Sequence, residues 1–334
     1  MERNPGATPL LVRKGVRRGC VANELSRPGR RAVMMGLGAA AALIPQAHAA
    51  GGLARLTLWP DLPPGGGGPS GPQVEDGSGA VSNVSTPVLE VFLPQKPSGA
   101  AVLVAGGGGY RRIGLVKEAY PAAYLLASQG ITAFVLTYRL PSENWADGPV
   151  VAMQDGQRAL RVIRANAERF GLDPGRIGVM GFSAGGHLCG MVAARSTFRA
   201  YAPVDAVDEL SARPDFAALI YPVVSLQPPF DTTNTRRSLV GETPTQEARA
   251  AWSLHTHVGP DCPSIFLVQA DDDRVVNPQQ SRILDEACRG AKVMVEYHRF
   301  AVGGHGFGIG SAEASVALWP RLYRLWLTSL SVMR

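Results

Sequence analysis

Charge is scarce in this 334-residue chain: Asp, Glu, Lys and Arg together make up 18% of it. The net charge of +6 is also in the wrong place for a nucleic-acid binder. Residues 1–49 hold eight arginines and lysines against two glutamates, which accounts for the whole surplus and leaves the rest with 25 basic and 25 acidic residues. A neutral body has no electrostatic footprint for a phosphate backbone. Cysteine is scarce as well, four in all with one of them at Cys20, too few for a fold framed by disulfides. No apolar run reaches the roughly 20 residues that a membrane span needs, and no internal repeat is present, which excludes a solenoid. His255 and His257 form an H-x-H with no Cys or acid nearby at ligand spacing, so no metal is expected. The run Gly106–Gly109 does not fit G-x-G-x-x-G, and no Lys-Ser/Thr follows it to make a P-loop. No cofactor is expected on these grounds.

Glycine (39) and proline (26) are plentiful, and 46% of the residues are hydrophobic. This suggests a loop-rich globular, enzyme-like chain more than a helical bundle or a disordered protein, and one long enough for a large single core. The basic N-terminus leads through Arg30-Arg31 into the apolar stretch 32–44, then Pro45 and the small-residue pattern Ala47-His48-Ala49. Basic, apolar and A-x-A regions in that order make an export signal. The adjacent arginines make it similar to the twin-arginine type, although Gly29 stands where that type usually has Ser or Thr. Residues 1–49 are therefore expected to be removed, leaving a periplasmic or secreted protein. Three cysteines would then remain: Cys189 as a buried thiol, and Cys262 and Cys288 at neighbouring ends of one βα unit, as two thiols or a disulfide.

Residues 50–86 are rich in Gly, Pro and Ser and predict a segment of low structural content. From there to residue 334 a single domain is expected. Apolar runs of five to eight residues fall at 87–93, 101–105, 131–137, 176–181, 216–221, 264–270 and 293–300. Amphipathic stretches lie between them, such as the helix predicted over 152–170. Short apolar runs alternating with helices predict an α/β fold: a mostly parallel central sheet with helices on both faces. In such sheets chemistry collects beyond the carboxyl ends of the strands.

Four of those ends carry candidates. After 176–181 comes Gly181-Phe182-Ser183-Ala184-Gly185, a G-x-S-x-G between strand and helix. This spacing lifts a serine hydroxyl clear of the sheet on a strained turn whose neighbours must lack side chains. After 101–105 come the four glycines, whose amides can approach a developing oxyanion; Gly108 and Gly109, with the N–H of Ala184, are the candidate donors. After 293–300 comes His305 between two glycines, downstream of Ser183 as a general base should be in this chain order. After 264–270 come Asp271, Asp272 and Asp273, the acids in a strand-end loop between Ser183 and His305. Asp215 also lies in that interval, but it precedes its strand and belongs to the opposite edge. His187, one helical turn past Ser183, and His298, within a strand, read as structural.

The segments "GGGGYRRI", "YRLP", "GRIGVMGFSAGGHL", "RPDFAALIYPVVSL", "ADDDRVVNPQQS" and "GGHGFGIG", in this order, resemble the α/β-hydrolase superfamily. Within it they resemble bacterial acetylxylan and feruloyl esterase-like proteins, often labelled xylanase B-like. The resemblance implies Ser183 as nucleophile and His305 as base. That family's acid loop, roughly G-x-x-D-x-x-V-P, laid on residues 270–277 makes Asp273 the acid. Here Ala270 replaces the usual Gly, Gln269 stands where His is common, and Asn277 replaces Pro. Asn277-Pro278 reads as a helix start that anchors the far end of this loop. Asp271 and Asp272 are then left to solvent or to loop amides. The implied activity is hydrolysis of small-acyl esters, acetyl groups on carbohydrate above all. The partner is thus a small-molecule or carbohydrate ester. The alternatives are a prolyl-oligopeptidase-type peptidase and a non-catalytic binding protein on the same fold. Trp59, Tyr110 and Trp145 are candidates either for a sugar-facing cleft or for core packing.

Overall fold

The structure, a computed structural model, describes residues 54–311 and 313–333. The export-signal pattern of residues 1–49 lies outside the described residues. In chain order the strands are β1 (Ala54–Thr57), β2 (Val74–Glu75), β3 (Ala80–Ser82), β4 (Val88–Phe92), β5 (Ala101–Ala105), β6 (Ile113–Gly114), β7 (Thr132–Thr137), β8 (Ile177–Phe182), β9 (Phe216–Ile220), β10 (Ser264–Ala270) and β11 (Val295–Phe300). The helices are α1 (Tyr120–Ser128), α2 (Val150–Ala165), α3 (Ala167–Phe170), α4 (Ala184–Ala194), α5 (Asn234–Val240), α6 (Gln246–Ala251), α7 (Gln279–Gly290) and α8 (Trp319–Ser329).

Each of the seven apolar runs is a strand, with ends within two residues of those read from sequence. Eight strands form the central sheet in the order β1-β4-β7-β5-β8-β9-β10-β11. The β1–β4 and β4–β7 pairs are antiparallel, and every pair from β7 to β11 is parallel. Strands β5, β7, β8 and β9 are buried at every position, so their side chains are covered on both faces and need no polar alternation. On β9, Phe216 and Leu219 are an odd number of residues apart and point to opposite faces. Phe216 meets Trp326 of α8, while Leu219 lies against Gly190 of α4. The two helices therefore cover opposite sides of the sheet. This is the α/β-hydrolase architecture, with a mostly parallel sheet and flanking helices.

Two expectations need correction. The helix expected over 152–170 begins two residues earlier and breaks at Asn166, whose side-chain amide donates to the Val162 carbonyl at 2.9 Å. An Asn that bonds back to its own turn competes with continued helix. Residues 54–86 also hold more structure than their composition predicts. β1 joins the central sheet, and β2, β3 and β6 make a small antiparallel sheet of their own. Residue 86 is thus no boundary of the central sheet. Strands of two to four residues are too short to show a period.

A buried ionic cluster ties this early segment to the body. Arg139 Nε and Nη2 donate to the Asp155 carboxylate at 2.8–3.0 Å, and both side chains are fully buried. Asp155 also accepts from Trp59 Nε1 at 2.9 Å and from the Arg139 amide at 2.8 Å. The remaining guanidinium N–H groups reach Gln154, the Val151 carbonyl and the Pro64 carbonyl. The guanidinium lies 5.7 Å from the Trp59 ring and 5.0 Å from the Trp145 ring, within cation–π range. Trp59, Tyr110 and Trp145 are therefore packing residues: all three are buried, and none lines the cavity at Ser183. Cys189, Cys262 and Cys288 are buried free thiols.

Candidate active site

Ser183 sits at φ +51°, ψ −115° between β8 and α4. A β-carbon-bearing residue is rarely found there, and such strain persists only where the surroundings impose it. The flanking glycines show what imposes it here. A Cβ on Gly181 would lie 2.2 Å from the Gly185 carbonyl oxygen, and one on Gly185 would lie 2.2 Å from the Ala105 carbonyl oxygen of β5. The turn is thus pressed against the sheet on both sides. The Ser183 amide donates to the Ile220 carbonyl at 3.0 Å, which holds the turn against β9.

His305 stands in the loop after β11. Its Nε2 is 2.9 Å from Ser183 Oγ, and its Nδ1 is 2.7 Å from Asp273 Oδ2. An acid that accepts at Nδ1 selects the tautomer with the proton on Nδ1, leaving Nε2 to accept from the serine hydroxyl. Asp273 is held just as closely. Its Oδ1 accepts from the amides of Val275 and Val276 at 2.8 and 2.9 Å, and its Oδ2 also accepts from Gln269 Nε2 at 3.0 Å. Gln269 is fixed in turn by the Ser281 hydroxyl on α7. The residue standing where the family often has His thus clamps the acid.

The neighbouring aspartates face elsewhere. Asp271 pairs with Arg299 at 2.9 Å on the surface. Asp272 accepts from the amides of Gly303 and Gly304 at 2.9 and 2.7 Å. These amides hold its carboxyl below the usual carboxylate range, the Gly304 bond contributing most. Asp272 therefore braces the loop that carries His305, two residues ahead of the ring. Asn277 Oδ1 accepts from the amide of Gln279, the first residue of α7; the helix starts one residue later than Asn277-Pro278 predicts, with Pro278 and not Asn277 as its N-cap. Asp215 pairs with the amide of Ile177 at the far end of β8, on the opposite edge.

A cavity of about 690 Å³ opens over Ser183 and His305. Gly108 and Gly109 line it, and their amides make no hydrogen bond among the described residues. Ala184 opens α4 directly after the serine. Val223, Val275 and Val276 are the larger apolar side chains that line it, and Arg111, Arg112 and Lys117 line it as well. His187 is structural. Burial pushes it down to about 4, so the neutral ring accepts from Tyr110 Oη at Nδ1 and donates to the Trp252 carbonyl at Nε2. It thereby anchors the residue that ends the glycine loop.

Two further groups here carried no sequence signal. Glu118 lies on a π-helical turn, Leu115–Ala119, and lines the same cavity with its side chain buried. Burial raises its carboxyl above the usual range, opposed by hydrogen bonds from the Gly107 amide and the Tyr221 hydroxyl. Tyr221 follows β9, and its ring stands edge-on to His305 with centroids 4.8 Å apart. Among the described residues no group of three or more His, Cys, Asp or Glu could hold a metal ion.

A family model described as BD-FAE matches residues 89–288. The chain is 31% identical over 235 residues to an acetylxylan esterase of Xylanibacter ruminicola, an alignment covering 66% of this chain and 43% of that protein. It is 32% identical over 213 residues to an endo-1,4-beta-xylanase B of Butyrivibrio fibrisolvens, covering 64% of this chain and 33% of that one. The chain thus spans less than half the length of these two curated relatives. Among solved structures, an acetyl ester-xyloside bifunctional hydrolase from Caldicellulosiruptor lactoaceticus is 31% identical, with a TM-score of 0.71 over 84% of this chain and 97% of that one. A carboxylesterase from Lactobacillus plantarum, at 23% identity and a TM-score of 0.65 over 75% of this chain and 95% of that one, shares the fold.

Proposed function

The chain belongs to the BD-FAE family of α/β-hydrolase esterases, and from that premise we propose that it hydrolyses carboxylic esters through an acyl-enzyme on Ser183. The observation that carries this reading is the unbroken line Ser183 Oγ–His305–Asp273, at 2.9 and 2.7 Å, beneath a loop of glycines. Ser183 Oγ attacks the ester carbonyl carbon as its proton passes to His305 Nε2. Asp273 stabilises the imidazolium. The carbonyl oxygen, now an anion, takes hydrogen bonds from the amides of Gly108, Gly109 and Ala184; each such donor is worth roughly 3 kcal/mol. The tetrahedral adduct collapses, the C–O bond to the alcohol breaks, and His305 returns its proton to the leaving oxygen. A water, deprotonated by His305, then attacks the acyl carbon and releases the acid and free Ser183.

The acyl group is small, acetyl first, and the alcohol is a carbohydrate. The relatives' names, acetylxylan esterase and acetyl ester-xyloside hydrolase, support this, as does a cavity with few apolar side chains. The basic, apolar and A-x-A order of residues 1–49 supports export to the periplasm or beyond. Among the described residues no helix is long and apolar enough to cross a membrane.

The test is a panel of p-nitrophenyl acetate, butyrate and longer esters, acetylated xylan, methyl ferulate and a proline amide, run beside Ser183→Ala. Acetate release by the wild type and its loss in the variant are expected. Cleavage of the proline amide without cleavage of p-nitrophenyl acetate would install the peptidase alternative instead.

A further inference from the structure

We propose that Glu118 is a positioning residue for this reaction: its buried carboxylate ties the glycine loop to the loop carrying His305 and sets both against Ser183. The proposal rests on the esterase reading above. The two oxygens of Glu118 are divided between the two loops. Oε2 accepts from the Gly107 amide at 2.6 Å. Oε1 accepts from Tyr221 Oη at 2.9 Å, and that hydroxyl accepts in turn from the Gly308 amide at 3.0 Å. Gly308 is three residues past His305, and its carbonyl is held by Trp319 Nε1. One carboxylate thus connects the backbone on both sides of the serine.

Gly107 explains why the tie has to be a bond to the main chain. A Cβ there would lie 2.8 Å from Ser183 Cβ and 3.0 Å from Glu118 Oε2. The loop is squeezed between nucleophile and acid, and no side chain fits to hold it. The loop's other edge is fixed by the Gly114 amide, which donates to the Gly107 carbonyl at 2.8 Å. With the Gly107 N–H given to Glu118, the amides of Gly108 and Gly109 are the next along the loop and are unbonded among the described residues. Glu118 thereby decides which amides of the glycine run serve the oxyanion.

The electrostatics separate this acid from a structural one. Among the described residues no Arg or Lys lies within ion-pair distance of Glu118, whereas the buried Asp155 is paired with Arg139. A buried carboxylate without a cation costs stability. Its oxygens here serve the two loops that bracket Ser183. Such an expense is typical of functional sites.

The experiment compares wild type, Glu118→Gln, Tyr221→Phe and the double variant. It measures kcat and KM on p-nitrophenyl acetate, the rate of Ser183 labelling by a fluorophosphonate, whose phosphonyl oxygen must enter the same hole, and thermal unfolding. An amide at 118 presents a donor where two donors already point. Glu118→Gln should lower kcat about 30- to 100-fold and labelling in step, with KM within about 3-fold. Tyr221→Phe should lower kcat about 5- to 20-fold, and the double variant should fall no more than about 3-fold below Glu118→Gln, because both changes cut one bridge. A folded Glu118→Gln with kcat within about 3-fold of wild type, a loss confined to KM, or a double variant equal to the product of the singles would overturn the proposal. If Glu118→Gln does not fold, Tyr221→Phe decides, and a kcat within about 2-fold of wild type sinks the idea. A wild type that neither hydrolyses the ester nor labels overturns the esterase reading and this one together. An active wild type with unaffected variants overturns this one alone.

Discussion

Asp155 and Asp273 are both carboxylates whose side chains are shut off from solvent, and each faces a basic partner across a short contact. Asp155 lies with Arg139 in a buried cluster, where each nitrogen of the guanidinium donates to a protein acceptor. Asp273 lies with His305, whose far nitrogen is committed to Ser183 at the floor of an open cavity. The first pair has its hydrogen bonds met inside the protein; the second, in the proposed reaction, moves a proton between Ser183 and His305. The comparison teaches that burial and hydrogen-bond satisfaction do not mark a catalytic acid. The mark is one atom of the network left facing the cavity.

The sharpest test of that distinction separates activity from stability. Ser183→Ala should remove ester hydrolysis by on the order of 10⁵–10⁶ in kcat, and Asp273→Asn by on the order of 10³–10⁴, since the histidine loses its tautomer and its counter-charge. Urea unfolding should place both variants within about 1–2 kcal/mol of wild type. Asp155→Asn should do the reverse. Leaving Arg139 charged and unpaired in the core should cost about 3–5 kcal/mol in the same unfolding experiment, while the molecules that remain folded keep their turnover. If Asp155→Asn reduced kcat at unchanged stability, the contrast between the two pairs would collapse.

His187 offers a subtler break, a buried base with no acid beside it. Burial puts its folded value at about 4, below the 6.5 of a free imidazole. Between those limits the unfolded chain binds the proton that the native ring refuses. Its contribution is therefore complete above pH 6.5 and is lost as pH falls from there toward 4, on the order of 3 kcal/mol in all. A plot of unfolding free energy against pH should slope downward toward acid across that window. His187→Gln should flatten the slope, and an unchanged slope would remove His187 as its source. The smallest effects are expected in the aspartate loop. Asp272→Asn weakens the brace on Gly303 and Gly304 and should lower kcat by about 3- to 10-fold. Asp271→Asn breaks an exposed pair with Arg299 and should leave kcat within about 2-fold.

These three aspartates also measure how far the sequence could be read. Ser183 and His305 were legible because glycines at strand ends announce backbone that must approach closely or turn. The loop holding the acid was legible from topology, but the choice of Asp273 came from the family register, since adjacent residues at a strand end fan outward and composition cannot say which turns inward. The role of Gln269 was visible only as a departure from the family pattern. Glu118 was not legible at all. Its partners are a backbone amide eleven residues away and a tyrosine 103 residues away, and a bond to the main chain leaves no trace in residue types. The short strands before residue 86 were hidden by the same Gly and Pro content that shapes their turns.

β1 is four residues long and holds one edge of the central sheet by pairing with β4. A protein trimmed to residue 87, where the regular alternation of strands and helices begins, would lose it. Strand β4, with Leu89 and Val91 now uncovered, would become a free row of amides and carbonyls, the geometry that recruits a strand from another molecule. Arg139 would at the same time lose its acceptor at Pro64 and the cover of Trp59. The expected fate of the trimmed chain is self-association and precipitation, although every residue of the proposed reaction centre would still be present.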